Sequence, residues 1–339
     1  MDKRELIGIT PGSGFIVQLF SDGGVQIRLH AKALNQPIEC TMIEQGEGGV
    51  KHKTFILQTF FYKEALFFLS QEGKVYWHQL GIESPLNIRN LLKEVGPVGI
   101  TPVQTNLGTR VEMKLVKGLP FIVAAAVEKT SMVILSKAGK VLVNKEPIER
   151  PKDGNRSTSV GMFYQAPFNF KAVEICCGDG YYLARNTQGE VFVWDGNDIP
   201  QKLTGIPAIV SLVNTNYYSW LLGKDGDVYR LSDKRKDTAH RASPYWSSPV
   251  LFKGVEWPSP TLLKGVGKVS KIAAGNGFVI GQTSEGVLYW EDSKEEIPRE
   301  IIVKEEILPL IFPIHQGRIV TPGFAEKRYR QEISEKIGL

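Results

Sequence analysis

The chain has 339 residues, of which 42% are hydrophobic and 23% charged, with a formal net charge of +5 and 3 cysteines. The charge is too mild for a dedicated nucleic-acid binder, and three cysteines, two of them adjacent, argue against a disulfide framework and for a reducing compartment. No stretch approaches the ~18 consecutive apolar residues of a membrane span, and Met1-Asp2-Lys3-Arg4-Glu5-Leu6 opens no long apolar core of the secretory type.

Taken in order, the chain repeats one pattern: an apolar strand, a polar turn with a glycine, then an alternating strand that often ends in an aromatic. It appears at Val17–Val25 around Gly23 and at Leu66–Trp77 around Gly73. Between them Gly46-Glu47-Gly48-Gly49-Val50-Lys51 superficially resembles a phosphate loop, but no glycine sits immediately before the lysine and the segment leads into an apolar strand. The pattern returns at Met132–Val141, Tyr182–Trp194, Trp220–Tyr229 and Val279–Trp290, around Gly139, Gly189, Gly226 and Gly286. Pro309–Val320, around Gly317, is a weaker seventh copy whose two prolines suit a central strand poorly. Ahead of three copies runs a second small-residue strand ending in a polar turn: Ala172–Tyr182, Ile209–Tyr218 and Val269–Phe278.

An apolar run, a glycine turn and a period-2 strand make a β-hairpin. Successive turn glycines are 50, 66, 50, 37 and 60 residues apart, a long period that signals a β-propeller. A β-sandwich also recurs with turn signals, but it does not predict the same turn six times. The reading is an all-β, single closed β-propeller, with seven blades of about 48 residues each or six as the alternative. It spans residues 1–321. Pro322-Gly323 precedes a tail, 322–339, read as a short helix with Tyr329, Ile333 and Ile337 along one face.

Val173-Glu174-Ile175-Cys176-Cys177-Gly178-Asp179-Gly180-Tyr181-Tyr182 through Trp194, and Val269 through Trp290, resemble repeats of the regulator-of-chromosome-condensation family. The family's histidine position is aromatic here (Tyr181, Tyr217, Phe278), and its glycine after tryptophan is replaced by His78, Asp195 and Glu291. The resemblance implies a propeller that binds a protein partner, a small GTPase first of all, with guanine-nucleotide exchange as the activity. In exchange factors of this family a projecting loop or hairpin wedges against the GTPase's phosphate-binding elements. An interaction scaffold in a larger complex, and a pathogen effector acting on a host GTPase, are the rival readings.

No enzymatic motif stands out. The histidines, His30, His52, His78, His240 and His315, show no ligand spacing, and no Gly-x-Ser-x-Gly elbow occurs. Neither a catalytic residue, a metal nor a cofactor is assigned. Cys176 and Cys177 read as small buried core residues. The candidate partner-binding element is the insert 232–249, which sets Lys234, Arg235, Lys236 and Arg241 beside Tyr245 and Trp246, the residue types of a binding hot spot. The same cations could touch nucleic-acid phosphates, a weaker reading. A second insert, 144–170, carries prolines, charges and Met162-Phe163-Tyr164-Gln165. The expected molecule is a monomer of the cytoplasm or nucleus, or of the host cytosol if it is an effector.

Overall fold

In the computed structural model the described residues are 6–12, 15–29, 38–45, 51–62, 65–79, 109–128, 131–144, 163–178, 181–195, 199–215, 218–232, 257, 259–263, 267–275, 278–291 and 299–301. All the regular structure among them is β, in successive antiparallel four-stranded units. Unit one comprises β1 (Leu6–Gly12), β2 (Phe15–Phe20), β3 (Val25–Leu29) and β4 (Ile38–Gln45), with β5 (Lys51–Lys53) added to β4. Unit two comprises β6 (Ile56–Tyr62), β7 (Ala65–Ser70), β8 (Val75–Gln79) and β9 (Thr109–Leu115). Unit three is β10 (Ile122–Glu128), β11 (Ser131–Ser136), β12 (Val141–Asn144) and β13 (Phe163–Gln165). Unit four is β14 (Ala172–Gly178), β15 (Tyr181–Asn186), β16 (Val191–Asp195) and β17 (Gln201–Lys202). Unit five is β18 (Ile209–Asn214), β19 (Tyr218–Gly223), β20 (Val228–Ser232) and β21 (Thr261–Leu262). Unit six is β22 (Val269–Gly275), β23 (Phe278–Thr283), β24 (Val287–Glu291) and β25 (Arg299–Ile301).

The first strands of the units pack in series, β1 on β6, β6 on β10, β10 on β14, β14 on β18 and β18 on β22. The hydrophobic core is therefore a set of layers between neighbouring units. The strands buried on both faces read as continuous apolar runs, as in β7, where Ala65 to Ser70 are all buried. The vicinal cysteines show the same period-2 geometry. Cys177 faces the layer shared with Val133, Val143 and Tyr182, and Cys176 the layer shared with Leu212 and Leu221. Both are buried, and neither forms a disulfide.

Two features were not anticipated. The first two units fuse into one nine-stranded sheet through parallel pairing of β4 with β9, Cys40 opposite Thr109 and Glu44 opposite Met113. Edge strands carry unpaired backbone groups, and pairing two edges satisfies both. The second feature recurs in all six units. The first strand bulges after its first residue, between Leu6 and Gly8, Ile56 and Gln58, Ile122 and Ala124, Ala172 and Glu174, Ile209 and Ser211, and Val269 and Lys271. Such a bulge adds local twist and re-aims the side chains that follow it.

The strand around Ile7, which could have closed a ring by pairing with a segment after Gly286, pairs with β2 inside its own unit. The weak seventh copy at 309–320 and the helical tail at 322–339 lie outside the described residues.

The recurrent glycine does more than close its hairpin. Gly139 and Gly189 have φ of 80° and 82°, a left-handed backbone that suits glycine. The Gly139 carbonyl accepts from Ala172 N–H (2.9 Å) and the Gly189 carbonyl from Ile209 N–H (2.9 Å), each at the start of the next unit. A Cβ on Gly139 would lie 2.8 Å from Lys171 Cβ, and one on Gly189 would lie 2.8 Å from Ala208 Cβ. The glycine turn is thus a latch between units. The polar residue before it caps the turn: Ser136 Oγ accepts from Lys140 N–H (2.9 Å), and Asn186 Oδ1 accepts from the N–H groups of Gln188 (3.0 Å) and Glu190 (2.9 Å).

Candidate functional site: the insert-bearing end of the sheets

Antiparallel order gives every unit two distinct ends. One carries the glycine turns between second and third strands and the connections between units. The other carries the turn between first and second strands and the connection from third to fourth. The candidate residues Lys234, Arg235, Lys236, Arg241, Tyr245 and Trp246 fall between β20 and β21, outside the described residues. β20 ends at Ser232 and β21 begins at Thr261, so this connection leaves and returns at the second end. The other insert does the same from β12 to β13. It is shorter than expected: Asn144 completes β12, and Phe163–Gln165 form the outer strand of unit three, Val143 opposite Tyr164. Ala166 is buried, and Phe168 and Phe170 pack onto the layer around Trp194. The aromatic cluster read as a contact loop therefore belongs in part to the blade, because an outer strand needs apolar side chains beneath it. Of that cluster Tyr164 stays open, at 45% exposure.

A third long connection, 80–108 between β8 and β9, emerges at the same end. Sequence reasoning passed over it, although Gly73 to Gly139 is the widest spacing between successive turn glycines. That spacing was the available signal.

One described residue of the 233–260 connection shows how its return limb is seated. Trp257 packs on Tyr181 with ring centroids 5.3 Å apart, and its N–H reaches Gln201 Oε1 at 3.5 Å. Both contacts are to unit four, whereas the connection itself belongs to unit five. Tyr181, which replaces the family histidine, is only 2% exposed. Its hydroxyl lies 2.7 Å from Ser219 Oγ and donates to Asn214 Oδ1 at 3.2 Å, both in unit five. Ser219 Oγ donates to the same Asn214 oxygen at 2.8 Å, and Asn214 Nδ2 donates to the Thr215 carbonyl. Thr215 closes the adjoining turn, its N–H and Oγ1 both donating to the Tyr218 carbonyl at 2.9 and 3.0 Å. Buried hydroxyls and amides are tolerable only when paired. This cluster pairs them across the boundary between units four and five.

A second buried device ties inner strands together. Gln58, just after the unit-two bulge, accepts from Ala125 N–H (3.2 Å) and donates to Ala125 O (2.9 Å) in unit three. Glu174 holds the equivalent position in unit four. It accepts from Leu212 N–H of unit five at 3.0 Å and pairs with Arg185 Nε at 2.5 Å. Burial pushes the Glu174 carboxyl above the usual carboxylate range, against the opposing pull of the Arg185 guanidinium and the Leu212 amide.

Among the described residues no group of three His, Cys, Asp or Glu side chains is placed to hold a metal ion, and no helix is long and apolar enough to cross a membrane.

No family model and no curated protein matches the sequence. Solved structures match by fold. Prp20p from Saccharomyces cerevisiae, described with its binding properties to Gsp1p and histones, superposes with a TM-score of 0.52 at 16% identity, covering 87% of this chain and 76% of its own. The yeast RCC1 (Prp20) structure with Kap60 gives a TM-score of 0.50 at 17% identity, covering 84% of this chain and 70% of that one. Human WBSCR16 gives 0.52 at 13% identity, over 88% and 82% of the two chains. The chain has the RCC1-like propeller fold.

Proposed function

We propose that this chain is a protein-binding propeller that engages a small GTPase with the insert-bearing end of its sheets and promotes guanine-nucleotide exchange. The observation that carries the reading is convergence: the connections 145–162 and 233–260 leave and return at one end, beside the turns between first and second strands. Two further supports come from outside the geometry. The repeats resemble those of a family whose exchange factors use a projecting loop, and Prp20p, which shares the fold, binds Gsp1p. A binding face needs large rigid side chains that bury area at small entropic cost, with cations to orient the partner. The insert supplies Tyr245 and Trp246 with Arg235 and Arg241.

The test is release of fluorescent GDP from a panel of small GTPases under an unlabelled nucleotide chase. The full chain is expected to accelerate release from at least one member. The R241A/Y245A/W246A variant is expected to lose both binding and acceleration while melting like the wild type. Binding without acceleration would make the chain a scaffold. A variant that binds and accelerates unchanged would remove the insert from the working face.

A further inference from the structure

The opposite end of the sheets carries a group of lysines around the glycine turn of unit three. Lys117 lies in the connection from β9 to β10, Lys137 and Lys140 flank the glycine turn, and Lys171 immediately precedes β14. All four are exposed. The turn and the connection are in contact: a Cβ on Gly139 would lie 2.8 Å from Lys171 Cβ, and Lys137 N–H donates to the Phe121 carbonyl at 2.8 Å. None of the four lysines forms an ion pair among the described residues. Elsewhere at this end Lys202 pairs with Glu190 at 2.6 Å and Lys268 with Asp227 at 2.7 Å. Beside Lys137 stands Phe121, an aromatic that is 43% exposed.

We infer that the glycine-turn end of unit three is a docking surface for an acidic segment of a protein partner. Four ammonium groups without an ion pair among the described residues, with a partly exposed aromatic ring beside one of them, attract a chain that carries carboxylates beside an apolar side chain. A nucleic acid fits the geometry less well. Lys137 Nζ sits over the Phe121 ring, 5.1 Å from its centroid, occupying the face on which a base would stack, and the ring also abuts Gly73. No arginine stands in the group to grip phosphate with a planar fork. This surface lies at the other end of the sheets from the inserts and is independent of the proposed GTPase contact. With both occupied, the chain joins two partners.

The experiment titrates the full chain into a fluorescein-labelled twelve-residue peptide of glutamates with one central leucine, at about 50 mM and about 150 mM salt. Saturable binding that weakens with salt is expected, and the K117S/K137S/K140S/K171S variant is expected to raise Kd at least tenfold with an unchanged melting temperature. The K224S/K268S variant, altered at the same end but in another sector, is expected to bind as the wild type does. Absence of peptide binding, an unaffected quadruple variant, or equal weakening by the control variant would each overturn the proposal. So would tighter binding of a twelve-nucleotide thymidine strand through the same four lysines.

Discussion

The brace between Glu174 and its neighbours makes a quantitative prediction, because unit two performs the same task without charge. Glu174 is 6% exposed, and the residue opposite it on β15 is Arg185. In unit two the equivalent pair is Gln58 opposite Leu69. Arg185→Leu leaves a buried carboxylate with only the Leu212 N–H, and breaking a buried pair by removing one partner costs about 3–5 kcal/mol. The carboxyl, already raised by burial, rises further without the guanidinium. A group whose folded pKa exceeds its unfolded value favours the folded state fully below the unfolded value, about 4.3 for glutamate. That contribution is lost as pH rises through the folded pKa. The R185L deficit should therefore be largest at pH 7–8 and small near pH 4. The double variant E174Q/R185L rebuilds the unit-two pair, with the amide donating to Leu212 O and accepting from Leu212 N–H. It should lie within about 1 kcal/mol of the wild type, since replacing both members of a buried pair is often neutral, and should show no added pH dependence. Denaturant midpoints from pH 4 to 8 report the global effect. Exchange of the Leu212 amide reports the local one, which matters because a serial array of units need not unfold in two states. An R185L deficit below about 1 kcal/mol at pH 7–8, or a double variant as damaged as the single, would refute the argument.

Gly189→Ala should cost about 2 kcal/mol or more in a denaturant midpoint, combining a left-handed backbone with a Cβ 2.8 Å from Ala208 Cβ. A Gly118→Ala control, with φ of 78° and nothing near its Cβ, should cost less. Tyr181→Phe should destabilise by about 1–2 kcal/mol, since the paired Ser219 and Asn214 lose a buried hydroxyl partner; an unchanged midpoint would contradict the bridging role. Cys176→Ser, at a site of 0% exposure, should cost about 1–3 kcal/mol. Thiol reagents should label Cys176 and Cys177 in the native protein far more slowly than in the unfolded chain. Trp257→Ala should make the 233–256 segment more sensitive to protease without moving the midpoint by more than about 2 kcal/mol.

By itself the sequence determined the all-β class, the hairpin unit and the positions of the six glycine turns among the described residues. Those depend on local physics: a glycine that accepts positive φ, a capping Ser136 or Asn186, and period-2 alternation ending in a buried Trp194 or Trp290. It also showed that Cys176 and Cys177 belong to the core, since adjacent small residues in a strand covered on both faces have nowhere else to point. Tertiary structure alone decided what joins the units. The hydrogen bonds from the starts of units three to six to the preceding turn glycine, and the fusion of β4 with β9, have no local signature, because each requires a partner from another unit. The Gln58 brace spans 67 residues and the Glu174 brace 38, and in sequence neither side chain differs from a solvated polar residue. Shared placement of the long connections was likewise invisible until strand polarity was known, although the wide gap from Gly73 to Gly139 hinted at the one that was missed. Hairpins are written in contiguous residues, whereas a face is assembled from chain segments that only packing between units brings together.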